Sequence, residues 1–425
     1  MRQITLFETE EKRTKLDIYS RETIFKRIRS EDFDFKNTPA STGIYGIHPY
    51  PAMLHFLVVR KLIEAYSKEN SYILDPFMGS GVVAGECLIN KRNFIGYDIN
   101  PLAVLISKVR TTPIKSKVLF DALERILQGY GCEKPQTVEF SNIYYWFDEV
   151  VINNLSRLRQ AISKIENKEV KDFFIIAFSE TVRRVSKARY NEFKLLRRKG
   201  EDKNSNVLDV FQEISLRNIG LLGEFYRRFT PSKNTLQLEE RNILNGIPLE
   251  DNSIDLIVTS PPYGDSRTTV AYGQFSRLSL RWLGLEECVD KTSLGAKPID
   301  ISHKLPSPLL YESIEKIKEK DDRRAREVFS FYNDLFNSIQ IIGRKVKRLS
   351  YVCFIVGNRR VKGVELPTDK ISADFFKSQG FKHQKTLVRA ITNKRMPVEN
   401  SPSNVRGDKD FTMRYEYIVI LKKMG

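Results

Sequence analysis

Histidine, cysteine and long apolar runs are scarce in this sequence, and each scarcity excludes a class of protein. The 425 residues include four histidines and four cysteines, without a CxxC pair or any other metal-ligand spacing. We therefore predict no metal site and no disulfide framework, and the thiols fit a reduced cytoplasmic protein. No apolar run reaches about 18 residues, which excludes a membrane-spanning helix. The histidines and cysteines are His48, His55, His303, His383, Cys87, Cys132, Cys288 and Cys353.

Acidic residues are also in deficit. The sequence has 53 Asp and Glu against 70 Lys and Arg, which gives a net charge of +17. An excess this large favours a polyanionic partner, most simply nucleic acid, although an anionic membrane surface also fits. The mixed charges of residues 1–15 lack the apolar centre of a secretory signal. The hydrophobic content of 41% suits a sizeable core, and the length predicts one large elaborated domain or two.

Strand and helix patterns alternate along residues 71–109, after a polar segment 1–45 that ends in a turn-rich loop. This alternation is typical of a parallel α/β unit. The predicted elements are an amphipathic helix (52–68), a strand (71–75), a glycine-rich turn, a helix (80–90), a strand (93–98) and a helix (100–109).

A long helical stretch interrupts this alternation, which resumes near residue 235. The chain closes with the order strand, helix, strand, strand, which predicts a terminal antiparallel hairpin at the edge of the sheet. We therefore predict one doubly wound α/β domain, formed by residues 1–112 and 235–425. A largely helical insertion over residues 113–234 divides it.

The first candidate site is a glycine loop at the end of a strand. Asp75 ends the predicted strand, and Gly79 and Gly81 open the next helix, so the backbone can turn sharply and approach a ligand. Asp98 ends the following strand, where an acidic residue suits ribose hydroxyls. A tight turn without a ligand is the alternative. The absence of GxGxxG disfavours a dehydrogenase.

The second candidate site is the tetrapeptide Ser260-Pro261-Pro262-Tyr263, directly after the apolar run 254–259. Proline has no N–H to donate, so it ends the strand at the sheet edge where α/β folds bind ligands. The exocyclic amino group of a base is a poor nucleophile, and the Ser260 hydroxyl and Pro261 carbonyl could accept its hydrogens. Tyr263 could stack on a base flipped out of a duplex. The alternative is a strand-ending turn with a packed tyrosine.

Together these segments resemble the DNA amino-methyltransferase family. The family's FxGxG loop is matched by residues 77–81, and its D/N/S-P-P-Y/F motif is matched by residues 260–263. The resemblance implies a Rossmann-like methyltransferase sheet and S-adenosylmethionine as the cofactor. It also implies methyl transfer to N4 of cytosine or N6 of adenine. Ser260 at the first motif position favours cytosine, because aspartate dominates there among adenine enzymes.

The same resemblance implies further site residues, each with a structural alternative. His48 and Pro51, in the segment 48–54, would line the methionine part of the cofactor, although His48 also fits a hydrogen-bonded structural histidine. Asp75 and Phe77 belong to the cofactor loop, and Asp75 could instead cap the following helix. Asp98 would hold the ribose. Asn242 is the nearest candidate for an adenine contact, at a position where relatives more often have aspartate.

The same resemblance implies partners and leaves alternative functions open. Double-stranded DNA and a cognate restriction endonuclease are implied as partners, in bacterial or archaeal cytoplasm and without a membrane. The insertion would hold the target-recognition region. An N6-adenine enzyme, an RNA methyltransferase and an inactive DNA-binding protein remain as alternatives.

Three further groups could contact DNA. The basic run 183–199 could follow phosphates or form a solvated helix face. Arg395 could approach DNA or cap its loop. Gln274 and Arg277 fit either a base pocket or helix packing.

Overall fold

A computed structural model describes most of the chain. The described residues are 25–131, 135–190, 192–198, 206–229, 233–265, 270–287, 289–391, 399–400, 410–411 and 413–425. The strands are β1 (Arg27–Arg29), β2 (Tyr72–Asp75), β3 (Asn93–Asp98), β4 (Leu236–Glu240), β5 (Ile254–Thr259), β6 (Val346–Val356), β7 (Arg359–Val361), β8 (Val364–Leu366), β9 (Phe381–Ala390), β10 (Glu399–Asn400), β11 (Asp410–Phe411) and β12 (Tyr415–Lys423).

The helices account for the rest of the regular structure. They are α1 (Phe56–Tyr66), α2 (Val82–Ile89), α3 (Pro101–Thr111), α4 (Ser116–Gly129), α5 (Ile143–Trp146), α6 (Glu149–Ser163), α7 (Lys168–Val185), α8 (Val207–Arg228), α9 (Tyr272–Leu283), α10 (Val289–Thr292), α11 (Pro308–Lys318), α12 (Asp322–Lys345) and α13 (Thr368–Lys377). None of the helices within the described ranges is long and apolar enough to cross a membrane.

Eight strands form one sheet in the order β1-β9-β12-β6-β5-β2-β3-β4. β12 runs antiparallel to both of its neighbours, while the other neighbouring pairs are parallel. Alternate side chains of the central strands enter different cores, as the pleat requires. Ile73 and Leu256 face a core shared with α1, α2 and α3. Leu74 and Ile257 face a second core shared with α11, α12 and α13. The result is a three-layer Rossmann-like α/β fold, as the sequence predicted.

The predicted terminal hairpin is confirmed, because β9 and β12 pair antiparallel along most of their length. One more strand lies outside it. β1 pairs in parallel with β9, within the polar segment 1–45, where we predicted no strand. Arg27 anchors this short strand through two hydrogen bonds of 2.8 Å to the Asp369 carboxylate. Such a pairing has little signal in sequence, since β1 has three residues and only Ile28 is apolar.

Helices α4 to α8 occupy the stretch where the sequence predicted a helical insertion. Their buried residues join the same core as one face of the sheet, and α7 packs against α3 and α9. The basic run 183–199 does not form one helix face, because α7 ends at Val185. Beyond it, Ala188 and Arg197 form an antiparallel bridge, which closes a non-helical loop.

Candidate active site

The reversal of strand order places a cleft at the carboxyl ends of β2, β3 and β5. From β2 the chain proceeds to β3 and β4 on one side, and from β5 to β6 on the other. Parallel sheets bind ligands at such a switch point. The cleft has a volume of about 950 Å³, including its open mouth. Eight residues predicted from the sequence line it: Pro51, Asp75, Phe77, Gly79, Asp98, Asn242, Ser260 and Pro262.

The glycine loop needs glycine at two positions for different reasons. Gly79 and Gly81 both have positive φ, +51° and +79°, in the left-handed region. At Gly81 a Cβ atom would also lie 2.5 Å from the Ser107 hydroxyl oxygen and 2.7 Å from Ser107 Cβ. The Ser107 hydroxyl in turn donates to the Gly79 carbonyl at 3.0 Å. The loop therefore rests directly on α3, and α2 begins at Val82 immediately after it.

Asp98 holds the same loop from the neighbouring strand. The Gly79 N–H donates to Asp98 Oδ2 at 2.9 Å, and the Asn100 N–H donates to Asp98 Oδ1 at 2.8 Å. Burial raises the pKa of Asp98 to about 6, against the opposing effect of these backbone donors. Each carboxylate oxygen has two lone pairs, so Asp98 retains acceptor capacity for a ligand hydroxyl.

Asp75 connects the glycine loop with the strand that precedes the prolines. The Thr259 hydroxyl donates to Asp75 Oδ1 at 2.6 Å, and the Phe77 N–H donates to the same oxygen at 3.1 Å. Burial raises the pKa of Asp75 to about 7. Because Thr259 directly precedes Ser260, this bond and the pairing of β2 with β5 hold the two predicted motifs next to each other.

A buried arginine holds the glycine loop from behind. Arg110 is fully buried and donates from Nη1 to the Ser80 hydroxyl at 2.8 Å. Its Nη2 donates to the Tyr45 and His48 carbonyls at 2.7 and 3.2 Å. Burial lowers the pKa of Arg110 to about 10, so it stays cationic at neutral pH. The loop and the 45–48 segment therefore share one buried cation.

Aromatic side chains form one wall of the cleft. Tyr50 and Tyr272 both line it, with ring centroids 6.0 Å apart. Asn100 supports this wall, because its Nδ2 donates to the Tyr50 hydroxyl at 3.2 Å and to the Ser276 hydroxyl at 2.8 Å. The wall supplies the flat apolar surface on which a purine ring would pack.

A chain of hydrogen bonds links the proline tetrapeptide, which follows β5, to β12, two strands away in the same sheet. The Ser260 hydroxyl donates to the Tyr263 hydroxyl at 3.1 Å, and Tyr263 donates to Glu416 Oε1 at 3.2 Å. Glu416 lies on β12 and forms an ion pair with Arg389 of β9. Burial and the Glu416 charge raise the pKa of Tyr263 well above its usual range, so the phenol stays protonated. The Tyr263 ring lies against Gly357, where a Cβ would come within 2.9 Å of it.

Several predicted residues lie outside the lining of the cleft. Among them, His48 is fully buried; its Nδ1 lies 2.6 Å from the Pro49 carbonyl, and its Nε2 lies 3.0 Å from the Ser179 hydroxyl. Burial lowers the pKa of His48 to about 4, which keeps the ring neutral. Gly81, Pro261 and Tyr263 adjoin lining residues without being among them.

Asn242 lines the cleft, but its amide is engaged by neighbours. Its Oδ1 accepts from the Leu244 N–H at 3.0 Å, and its Nδ2 donates to the Thr292 carbonyl at 3.1 Å. Gln274 accepts from the Leu195 N–H, and Arg277 forms an ion pair with Asp290. Arg395 lies outside the described residues.

Thr259, Tyr50, Arg110 and Glu416 were missed by the sequence-based prediction. Thr259 adjoins the proline motif and Tyr50 lies within the segment 48–54, so position along the chain was an available signal for both. Glu416 lacks such a signal, because it reaches the site only through the pairing of distant strands. Arg110 was missed because an arginine near a helix end usually faces solvent.

The fold and the cleft fit an S-adenosylmethionine-dependent methyltransferase, and comparison with known proteins places the chain in that class. The family model described as DNA methylase matches residues 7–109. The type II methyltransferase M.MvaI of Kocuria varians is 39% identical over 422 residues, which cover 91% of this chain and 93% of that protein. The chain therefore belongs to the DNA amino-methyltransferase family. Its cofactor is S-adenosylmethionine.

Two more distant similarities were found. The type II methyltransferase M.MjaII of Methanocaldococcus jannaschii is 33% identical over 86 residues, or 19% of this chain and 16% of that protein. The crystal structure of an S-adenosylmethionine-dependent methyltransferase from Methanosarcina mazei is 11% identical, covering 85% of this chain and 97% of that one. Its TM-score of 0.31 is too low to support an argument.

The cleft suits this cofactor chemically. Its lining is mainly apolar and includes the Tyr50–Tyr272 wall, on which an adenine ring would pack. The carboxyl groups of Asp75 and Asp98 suit a ligand that carries hydroxyls and positive charge. When bound, S-adenosylmethionine supplies an electrophilic methyl group, and the protein contributes mainly position.

Proposed function

We propose that this protein methylates N4 of cytosine in double-stranded DNA, as the modification enzyme of a restriction–modification system. The observation that carries the proposal is the position of the Ser260 hydroxyl. It lines the same cleft as the glycine loop, one residue beyond the Thr259–Asp75 bond that joins the two motifs. Serine at this motif position favours cytosine by family resemblance.

In the proposed mechanism, the target cytosine leaves the duplex and enters the proline side of the cleft. The Ser260 hydroxyl oxygen and the Pro261 carbonyl accept the two hydrogens of its amino group. These contacts would favour a more pyramidal nitrogen, whose lone pair would attack the methyl carbon as the bond from that carbon to the sulfonium sulfur breaks and a neutral thioether leaves. The methylated nitrogen, then cationic, would lose one of its protons to solvent. Tyr263 stacks on the base and holds the nitrogen in line with the transferred carbon.

The experiment uses unmodified duplex DNA and isotopically labelled S-adenosylmethionine, followed by digestion to nucleosides and mass spectrometry. We expect label in N4-methylcytosine. Label in N6-methyladenine would keep the family and reject the cytosine assignment. Label only in RNA, when RNA is supplied in parallel, would reject DNA as the substrate. No label at all, together with no heat on titration with S-adenosylmethionine, would indicate an inactive protein.

We also propose that the loop after α7 contacts DNA phosphates. The loop reaches the cleft wall, because Phe193 packs against Phe275 of α9, the helix that begins with Tyr272. Arg197 lies on this loop with its guanidinium 4.7 Å from the centre of the Tyr145 ring, and both side chains are exposed. An exposed basic and aromatic surface beside the cleft suits a polyanion with flat bases.

The arginines of the basic run do not share one role. Arg183 is buried, and Arg184 forms an ion pair with Glu213. We therefore expect Arg197→Gln to weaken DNA binding and reduce the slope of log affinity against log salt by about 1. Lys168→Gln, at an exposed position at the other end of α7, is the control. An unchanged slope in Arg197→Gln would reject the phosphate contact.

A further inference from the structure

The Ser260 hydroxyl can donate one hydrogen bond and accept others, and only its acceptor lone pairs remain available to a substrate. Its proton is directed at the Tyr263 oxygen, 3.1 Å away. The Tyr263 oxygen can accept this proton because its own proton goes to Glu416, 3.2 Å away. A hydroxyl has one donor and two acceptor lone pairs. With its donor engaged, Ser260 presents only lone pairs to the cleft.

Glu416 sets the direction of this series of hydrogen bonds. A carboxylate accepts hydrogen bonds and donates none, so Glu416 can engage Tyr263 in only one sense. Arg389 pairs with the other carboxylate oxygen of Glu416 and also donates to the Phe33 carbonyl at 2.8 Å. Both side chains of this ion pair are largely buried, which holds the charge in place.

We propose that Glu416 is a positioning residue for methyl transfer: through Tyr263 it orients the Ser260 hydroxyl as a hydrogen-bond acceptor for the target amino group. This role rests on the proposed function, and it adds a residue 153 positions from Tyr263. An amino group has two hydrogens to donate. A Ser260 hydroxyl free to rotate would also point its proton at the nitrogen, where it would compete for the lone pair that must attack.

Two near-isosteric substitutions test the chain. Tyr263→Phe removes the hydroxyl and keeps the ring against Gly357, while Glu416→Gln replaces the pure acceptor with a group that can also donate. In each variant we expect the single-turnover rate of DNA methylation to fall about tenfold, the size expected for one oriented hydrogen bond. Dissociation constants for S-adenosylmethionine and DNA should stay within about twofold, since neither change removes a ligand contact.

The double variant, with both Tyr263→Phe and Glu416→Gln, tests whether the two residues act through the same series of hydrogen bonds or independently. If Glu416 acts through Tyr263, the double variant is no slower than the slower single variant, because the chain is broken only once. If the defects were independent, the rate would fall about a hundredfold. That outcome, or a wild-type rate in either single variant, would overturn the proposal.

A second triad of the same composition provides the control. Tyr45 donates to Glu86 at 2.6 Å, and Glu86 pairs with Arg60 at 2.8 Å, without a link to the proline motif. Glu86→Gln should therefore leave the single-turnover rate within about twofold of wild type. An equal loss of rate in Glu86→Gln would attribute the Glu416 effect to general destabilisation and reject the positioning role.

Failure of the proposed function and failure of the positioning role give different results. Wild-type protein that labels no base in DNA would reject the proposed function and, with it, the basis of this role. Active wild type with unaffected variants would reject the positioning role alone. If Glu416→Gln does not fold, Tyr263→Phe decides the matter, because a wild-type rate without the phenol contradicts the chain.

Discussion

The two halves of the cleft are held together in different ways. The glycine half comprises Asp75, the loop 76–81 and Asp98. Apart from the Thr259–Asp75 bond, which connects it to the proline half, the bonds that support its loop join residues near in sequence. Gly79 and Asp98 are 19 positions apart, and Ser80 and Arg110 are 30 apart. The proline half comprises residues 260–263 with Glu416 and Arg389. Its central bond, from Tyr263 to Glu416, joins residues 153 positions apart.

This difference has a consequence for function. Apart from the Asp75–Thr259 bond, the glycine half forms within residues 72–111, so its loop geometry depends mainly on local backbone conformation. The proline half requires β12 to be inserted between β6 and β9, so its geometry depends on the completed sheet. Substitutions in the glycine half should therefore alter cofactor binding, whereas those in the proline half should alter the rate of transfer.

The largest effect should come from Tyr263→Ala. Loss of both the ring and the hydroxyl should lower the single-turnover rate about a hundredfold, since stacking on one base contributes about 1–3 kcal/mol. Affinity for S-adenosylmethionine, measured by calorimetry, should stay within about twofold. A rate in Tyr263→Ala no lower than in Tyr263→Phe would reject stacking. A loss of cofactor affinity would contradict the assignment of cofactor binding to the glycine half alone.

The sequence predicted the glycine half well because its signals are local. The strand over 93–98 is observed at those residues, and Asp98 lies at its end beside the loop. The apolar periodicity and the two glycines were sufficient for this part, since the bond from Gly79 to Asp98 lies within the consecutive elements β2, α2 and β3. The buried Arg110 was missed because an arginine near a helix end usually faces solvent.

The proline half could be predicted only in part. The tetrapeptide itself was recognisable, because two prolines after an apolar run end a strand at the ligand edge. Its supporting ion pair was not, because the pairing of β12 with β9 decides which of many charged residues meets Tyr263. The edge strand β1 was missed for the same reason: three residues pair there only because β9 offers a free edge.

In the glycine half, Asp98→Ala should have the largest effect on cofactor affinity. The substitution removes the predicted ribose acceptor and also the partner of the Gly79 and Asn100 N–H groups. We expect the dissociation constant of S-adenosylmethionine to rise about thirtyfold, the size expected for hydrogen bonds to a charged group. Calorimetry measures it, and Asp98→Asn, which keeps one acceptor oxygen, should lose less. An unaltered constant in Asp98→Ala would refute the ribose assignment.

Gly81→Ala should have a smaller effect on the same constant, about tenfold. Alanine at this positive φ is strained, and its Cβ would push against Ser107 and displace the loop. Gly380→Ala provides a matched control, because Gly380 has a similar φ of +81° with open space around it. The control should lose stability without losing cofactor affinity. Equal affinity in both variants would show that the contact with Ser107 is unimportant.

The smallest effect should be a dependence of cofactor affinity on pH. The pKa values of Asp98 and Asp75 are raised to about 6 and about 7 from 3.8 by burial. A protonated carboxyl loses its charge and part of its acceptor capacity, so affinity should fall as pH decreases through this window. Between about pH 7.5 and pH 5.5, protonation of Asp98 alone should weaken binding about fourfold.

Stability should move in the opposite direction at these two sites. Between about pH 4 and pH 7 the unfolded chain has already lost these protons while the folded protein retains them, so rising pH lowers the free energy of unfolding.

Asp98→Asn should remove the step in cofactor affinity near pH 6 and leave any step near pH 7, since Asp75 is unchanged. Titrations of both proteins with S-adenosylmethionine across this range make the comparison. The same step near pH 6 in Asp98→Asn would assign it to a group other than Asp98.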